Sequence, residues 1–124
     1  MKTLLKTEEL AEVIFALAVF ANLPYAWWVL PATLLLPDLS MAGYLAGPRV
    51  GAFCYNFAHH KALAIGVGLA GWYLEHPVLM LAGTVLLLHS AFDRMLGYGL
   101  KYTTGFQDTH LGDVGAGQPE VAAN

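Results

Sequence analysis

Residues 77–97 read PVLMLAGTVLLLHSAFDRMLG, and this stretch decides the fold. From Pro77 to Leu88 it contains no charge, and Gly97 is a natural helix terminator, so about 20 residues form one apolar helix of membrane-spanning length. His89 and Asp93 stand four residues apart near its end and project from one face. The rest of the chain has the same character. Of 124 residues 57% are apolar and 12% charged, against about 25% charged in a soluble domain, and mean hydropathy is +0.55. Between Leu10 and Leu100 the only charges are Glu12, Asp38, Arg49, Lys61, Glu75, Asp93 and Arg94. Such a chain reads as an all-α integral membrane bundle whose principal partner is the lipid bilayer.

Other classes fall away. A single cysteine, Cys54, excludes an internal disulfide and a thiolate zinc site. A net charge of −3 with scattered basic residues excludes a nucleic-acid-binding face. Lys2 and Lys6 precede an apolar run, as in a signal peptide, but Glu8, Glu9 and Glu12 interrupt it and favour a retained first helix.

Four spans are predicted, at 7–22 with Thr7 as N-cap, 24–37 opened by Pro24 and kinked at Pro31, 48–74, and 77–97. The Gly-rich residues 38–47 form a connector or a re-entrant segment. Residues 98–124 form a short soluble tail whose last ten or so are expected to be disordered. Lys2, Lys6, Arg49, Arg94 and Lys101 fall on one side, which places both termini in the cytoplasm. Tyr25, Trp27, Trp28, Trp72 and Tyr73 make an aromatic belt at the opposite interface.

This topology brings Asp38, Asn56, His59, His89 and Asp93 to one half of the bilayer. Two imidazoles and two carboxylates suit zinc, manganese or iron, with a position left for water. The same groups also suit a proton or ion path, or an interhelical hydrogen-bond pair with Asn56 as glue. Lys61, inside the third span, must snorkel, face a cavity or pair with an acid such as Glu12. The repeats Gly43, Gly47, Gly51 and Ala62, Gly66, Ala70 allow close helix approach, within a protomer or in a homo-oligomer. His60 points away from His59, and Cys54, Glu75 and His76 read as structural or solvated.

PDLSMAGYLAGPRVGAFCYNFAHH (37–60) and HSAFDRMLGYGLKYTTGFQDTHLG (89–112) resemble the signature blocks of a bacterial family of small membrane proteins, domain of unknown function 4260. The likeness covers nearly the whole chain and implies a multi-helix protein of the bacterial inner membrane. Thr109-His110-Leu111-Gly112, as part of a block, implies a tail folded over the site, with Asp108 and His110 near Asp93 and Arg94. The order Pro-Asp, inner His, His-x-x-x-Asp is also similar to membrane-bound metal-dependent hydrolases, although their His-Arg-x-x-Thr-His-Ser block is absent. On that likeness Asp38, His59, His89 and Asp93 hold the ion, and Arg49, Arg94, Asn56 and His110 meet the substrate. Glu12 or Asp108 is the general base. The rival readings are a small oligomeric transporter or proton path, a structural membrane protein, and haem ligation by His59 and His89.

Overall fold

The computed structural model describes residues 1–114; the expectation of disorder in the last ten residues lies outside them. Helix α1 runs over Lys2–Ala21. It begins before Thr7, whose hydroxyl donates to the Leu4 carbonyl at 2.6 Å from within the helix and so caps nothing. Ala16 of α1 is buried with Ala64, Leu87 and Leu88, and Val13, Leu30 and Leu34 pack around them.

The predicted helix 24–37 is corrected. Its three prolines lack the N–H groups a helix needs, and only Val29–Thr33 is α-helical (α2). A 3-10 segment follows over Leu36–Ala46, with Asp38 in its first turn. Eleven residues far exceed the usual 3-10 run of about three or four. It ends at Gly47, where φ is +112°, a backbone conformation that a side chain would strain.

The predicted helix 48–74 is two helices, α3 over Pro48–Ala58 and α4 over Lys61–Tyr73. His59 leaves helical geometry, and His60 is extended with ψ of 117°. The break releases the His59 carbonyl, which accepts from Arg94 Nη2 at 3.1 Å. Here the hydrophobic pattern runs on while the backbone turns, because a side chain from elsewhere takes up the freed carbonyl.

Helix α5 spans Pro77–Leu96, one residue short of the predicted end, and closes at Gly97 in the left-handed conformation. It packs against both α1 and α4, while α3 packs against the 3-10 segment. The α4–α5 contact is made by glycines: a Cβ on Gly83 would lie 2.4 Å from the Gly68 backbone nitrogen, and one on Gly71 2.5 Å from that of Met80. Gly43 and Gly51 similarly seat the 3-10 segment on α3, against Cys54 and the Tyr44 ring. Gly47 and Gly66 meet nothing within 4 Å, so of the first predicted small-residue repeat Gly43 and Gly51 serve packing within the chain.

The described part of the tail contains a small hairpin, β1 (Asp108–Thr109) against β2 (Gly112–Asp113). Thr109 also bridges to Lys101.

Two stretches are long and apolar enough to cross a membrane, Val29–Ala46 and Pro77–Leu96. Among the described residues only these two of the four expected spans meet that test of length and composition. Charges at Lys6, Glu8, Glu9 and Glu12 interrupt α1, and the 13 residues of α4 rise only about 20 Å. Large apolar side chains are nevertheless exposed along most helices, among them Ile14, Phe15, Leu39, Phe53, Phe57, Ile65, Leu69 and Trp72.

Candidate metal centre

Three separate segments supply the centre: the first turn of the 3-10 segment gives Asp38, the α3–α4 break gives His59, and the second half of α5 gives His89 and Asp93. His59 and His89 are buried, Asp93 nearly so, and the Asp38 side chain is 32% exposed. The break is what inserts His59, because its ring lies against the end of its own helix.

Both imidazoles are fixed through Nδ1. His59 Nδ1 donates to the Tyr55 carbonyl at 2.8 Å, and His89 Nδ1 to the Leu34 carbonyl at 2.7 Å. A carbonyl can only accept, so these partners assign a proton to Nδ1 of each ring, and in the neutral imidazole Nε2 then carries the lone pair. Each Nε2 meets carboxylates. His59 Nε2 lies 3.3 Å from Asp38 Oδ1 and 3.4 Å from Asp93 Oδ2; His89 Nε2 lies 3.0 Å and 3.4 Å from the same atoms.

With neutral imidazoles four acceptors converge, all within 4.8 Å of one another. Acceptors facing each other repel unless positive charge stands between them, as a metal ion or as the Nε2 protons of two imidazoliums. The edge of a tetrahedron with metal–ligand bonds of 2.0–2.1 Å is about 3.3–3.4 Å, and the four nitrogen–oxygen edges here are 3.0–3.4 Å. In spacing and in donor chemistry the group could hold a metal ion. It leaves no place for a porphyrin between the imidazoles, because both Nε2 atoms already touch the same two carboxylate oxygens; the haem reading is set aside.

Around the four, Tyr55 stacks its ring on the His59 imidazole, centroids 3.8 Å apart, and its hydroxyl donates to Asp93 Oδ2 at 3.3 Å. Asn56 clamps the tail: its Nδ2 donates to the Lys101 carbonyl at 2.7 Å and its Oδ1 accepts the Lys101 N–H at 2.6 Å. Lys101 is itself buried, its ammonium 4.8 Å from the Tyr55 ring centroid and 4.0 Å from that of Phe106. Burial pulls that ammonium below the usual lysine value, with Asp93 acting in the other direction. The tail therefore folds against α3 beside the centre.

The remaining predicted site residues lie elsewhere. Arg94 is buried and spends its guanidinium on the carbonyls of Tyr98 and His59, tying the end of α5 to the α3–α4 break. Glu12 pairs with Lys61 at 2.9 Å, and Glu9 shares that ammonium. Arg49 is exposed on the first turn of α3. Asp108 accepts from Thr104 and is held below the usual carboxylate range by that bond and by Asp113, whose own carboxyl is pushed up by Asp108. His110 accepts the Leu100 N–H at Nδ1, 2.8 Å away. Partial burial and the Arg94 guanidinium hold its imidazole below the ordinary value. In the sequence Lys101 reads only as a topology signal, and the four-residue spacing of Tyr55 and His59 is the pointer to the stacked pair.

Over residues 2–114 the chain matches the family described as domain of unknown function DUF4260, and it belongs to that family. No curated protein and no solved structure gives a significant match, so the likeness to metal-dependent hydrolases stands on the residues alone.

Proposed function

We propose that this member of the DUF4260 family is an integral membrane metalloprotein in which Asp38, His59, His89 and Asp93 hold one divalent cation, zinc foremost, for hydrolysis of a membrane-associated substrate. The reading rests on one observation: four acceptor atoms at coordination spacing, with both Nδ1 protons committed to backbone carbonyls. A proton path is disfavoured by the same detail, because an imidazole whose Nδ1–H is held by a carbonyl cannot pass protons from one nitrogen to the other. The exposed apolar side chains and the span-length stretches support residence in a bilayer.

A divalent ion at such a centre lowers the pKa of a bound water and polarises a substrate oxygen. The chain's own residues divide the remaining work. His59 and His89 are held rigid by Tyr55 and Leu34, so the donors need little reorganisation. Asp38, the most exposed of the four, opens the centre to the outside; its Oδ1 makes both imidazole contacts, so its Oδ2 is the oxygen assigned to take a proton. Tyr55 fixes the Asp93 oxygen it donates to.

Elemental analysis of detergent-purified protein tests this reading. One equivalent of metal per chain is expected, lost in His89→Ala and in Asp93→Ala. A stably folded, metal-free wild type that takes up no added zinc would sink it, and would favour two imidazoliums facing two carboxylates as a purely structural pairing.

A further inference from the structure

Lys101 lies beside the centre, and the proposed chemistry leaves it unused. Its backbone is clamped on both sides by Asn56 and bridged to Thr109. These contacts deliver an ammonium into a setting of two aromatic rings, where the residue is 5% exposed. Among the described residues no carboxylate forms an ion pair with it. Burying an unpaired charge is unfavourable, and chains rarely keep one without a partner.

Charge counting shows what kind of partner is missing. With a divalent ion in place, Asp38 and Asp93 are neutralised. Lys61, Glu9 and Glu12 form a separate cluster of net −1, and the Arg94 guanidinium is hydrogen-bonded to the Tyr98 and His59 carbonyls. Lys101 is a buried cation beside the centre, and among the described residues no ion pair compensates it. Its neighbour Tyr55 stacks on one ligand, His59, and bonds another, Asp93, so the ammonium lies one side chain removed from the centre.

Resting on the metal-centre reading, we infer that Lys101 is a substrate-positioning residue that receives an anionic phosphoryl oxygen while the same phosphoryl group meets the metal. The substrate class is accordingly a phosphoester. A compact ammonium acts as a point charge for such a group, and the aromatic walls exclude water that would screen it.

Inorganic phosphate is the probe, titrated calorimetrically into detergent-solubilised protein carrying one equivalent of zinc, with acetate as a carboxylate control. Phosphate is expected to bind wild type, to weaken about tenfold or more in Lys101→Gln, and to be largely kept in Lys101→Arg. Bound zinc certifies folding in each variant; if Lys101→Gln fails to load, Lys101→Met takes its place. Equal phosphate affinity in wild type and the uncharged variant, with zinc bound in both, overturns the inference while leaving the metal centre standing. Acetate binding as tight as phosphate overturns the phosphoryl assignment. A wild type that takes no zinc overturns the metal centre instead, and phosphate binding by that metal-free protein, lost in Lys101→Gln, would still support Lys101. Vesicles of phosphatidylcholine containing phosphatidic acid distinguish the source: competition with phosphate assigns a lipid headgroup, and undisturbed phosphate binding assigns a soluble phosphoester.

Discussion

Replacing Asp38 by Ala separates a metal centre from a buried ion pair, because the two differ in what the chain loses without metal. If zinc is supplied at about a thousand times its dissociation constant, binding stabilises the fold by about 4.1 kcal/mol. At roughly 4 °C per kcal/mol for a chain of this size, the melting temperature rises by about 15 °C over that in chelator. Asp38 supplies one of four donors and two of the four short edges. Even supporting residues around a metal cost about 10–100-fold in affinity when removed, so losing a donor costs at least about 100-fold. At the same zinc concentration the stabilisation then falls to about 1.4 kcal/mol, and the thermal shift to roughly 5 °C. In chelator the variant should melt at or above wild type, because the substitution removes an acceptor that faces two other acceptors. The assay is circular dichroism of detergent-solubilised protein, with zinc and with chelator. An ion pair predicts the opposite pattern: a loss of about 3–5 kcal/mol in Asp38→Ala whatever the metal, and no response of wild type to chelator. That result would refute the acceptor reasoning.

Three further outcomes follow from the packing and the tail. Gly83→Ala places a methyl group against the Gly68 backbone and is expected to cost about 1–3 kcal/mol or more, whereas Gly66→Ala, with open space around it, should be neutral or stabilising by up to about 1 kcal/mol; thermal melts compare the two. Asn56→Ala leaves the Lys101 N–H and carbonyl without their partner, at about 1–3 kcal/mol for each buried group, and should expose the chain beyond Gly97 to limited proteolysis with α1, α4 and α5 still folded. The His110 imidazole is held below its ordinary value of 6.5, so its contribution to hairpin docking is complete above that pH and is lost as pH falls through the lower folded value. The Leu100 amide resonance, whose N–H is donated to His110 Nδ1, should therefore titrate with a midpoint below 6.5 in wild type and not at all in His110→Ala; a midpoint at or above that value contradicts the assignment.

Much of the centre was legible without coordinates. His89 and Asp93 were placed on one face by their spacing in a long apolar helix, and α5 ends within one residue of its predicted limit. Asp38 and His59 followed from the expectation that chain direction reverses at each loop. The expected helix over 48–74 was wrong for a reason that periodicity cannot reveal: Ala, Gly and Leu continue on both sides of His59, and only Arg94, arriving from α5, stabilises the interruption. Asn56 looked like interhelical glue and instead holds the tail through Lys101. No spacing rule connects residues 45 apart.

Composition alone determined that this chain is helical and rich in exposed apolar surface, and the scarcity of charge marked its few ionisable residues as the place to look. Local pattern also fixed where α5 starts and stops, since Pro77 and Gly97 act on their own backbone. Only the tertiary structure decided that the four donors meet at coordination spacing, that both imidazoles present Nε2, and that Lys101 is buried beside them. A side chain's spacing along its own helix is set by backbone geometry and can be read in the sequence. Its tautomer and its partners are set by carbonyls and carboxylates from other segments, which come into range only when the chain has packed.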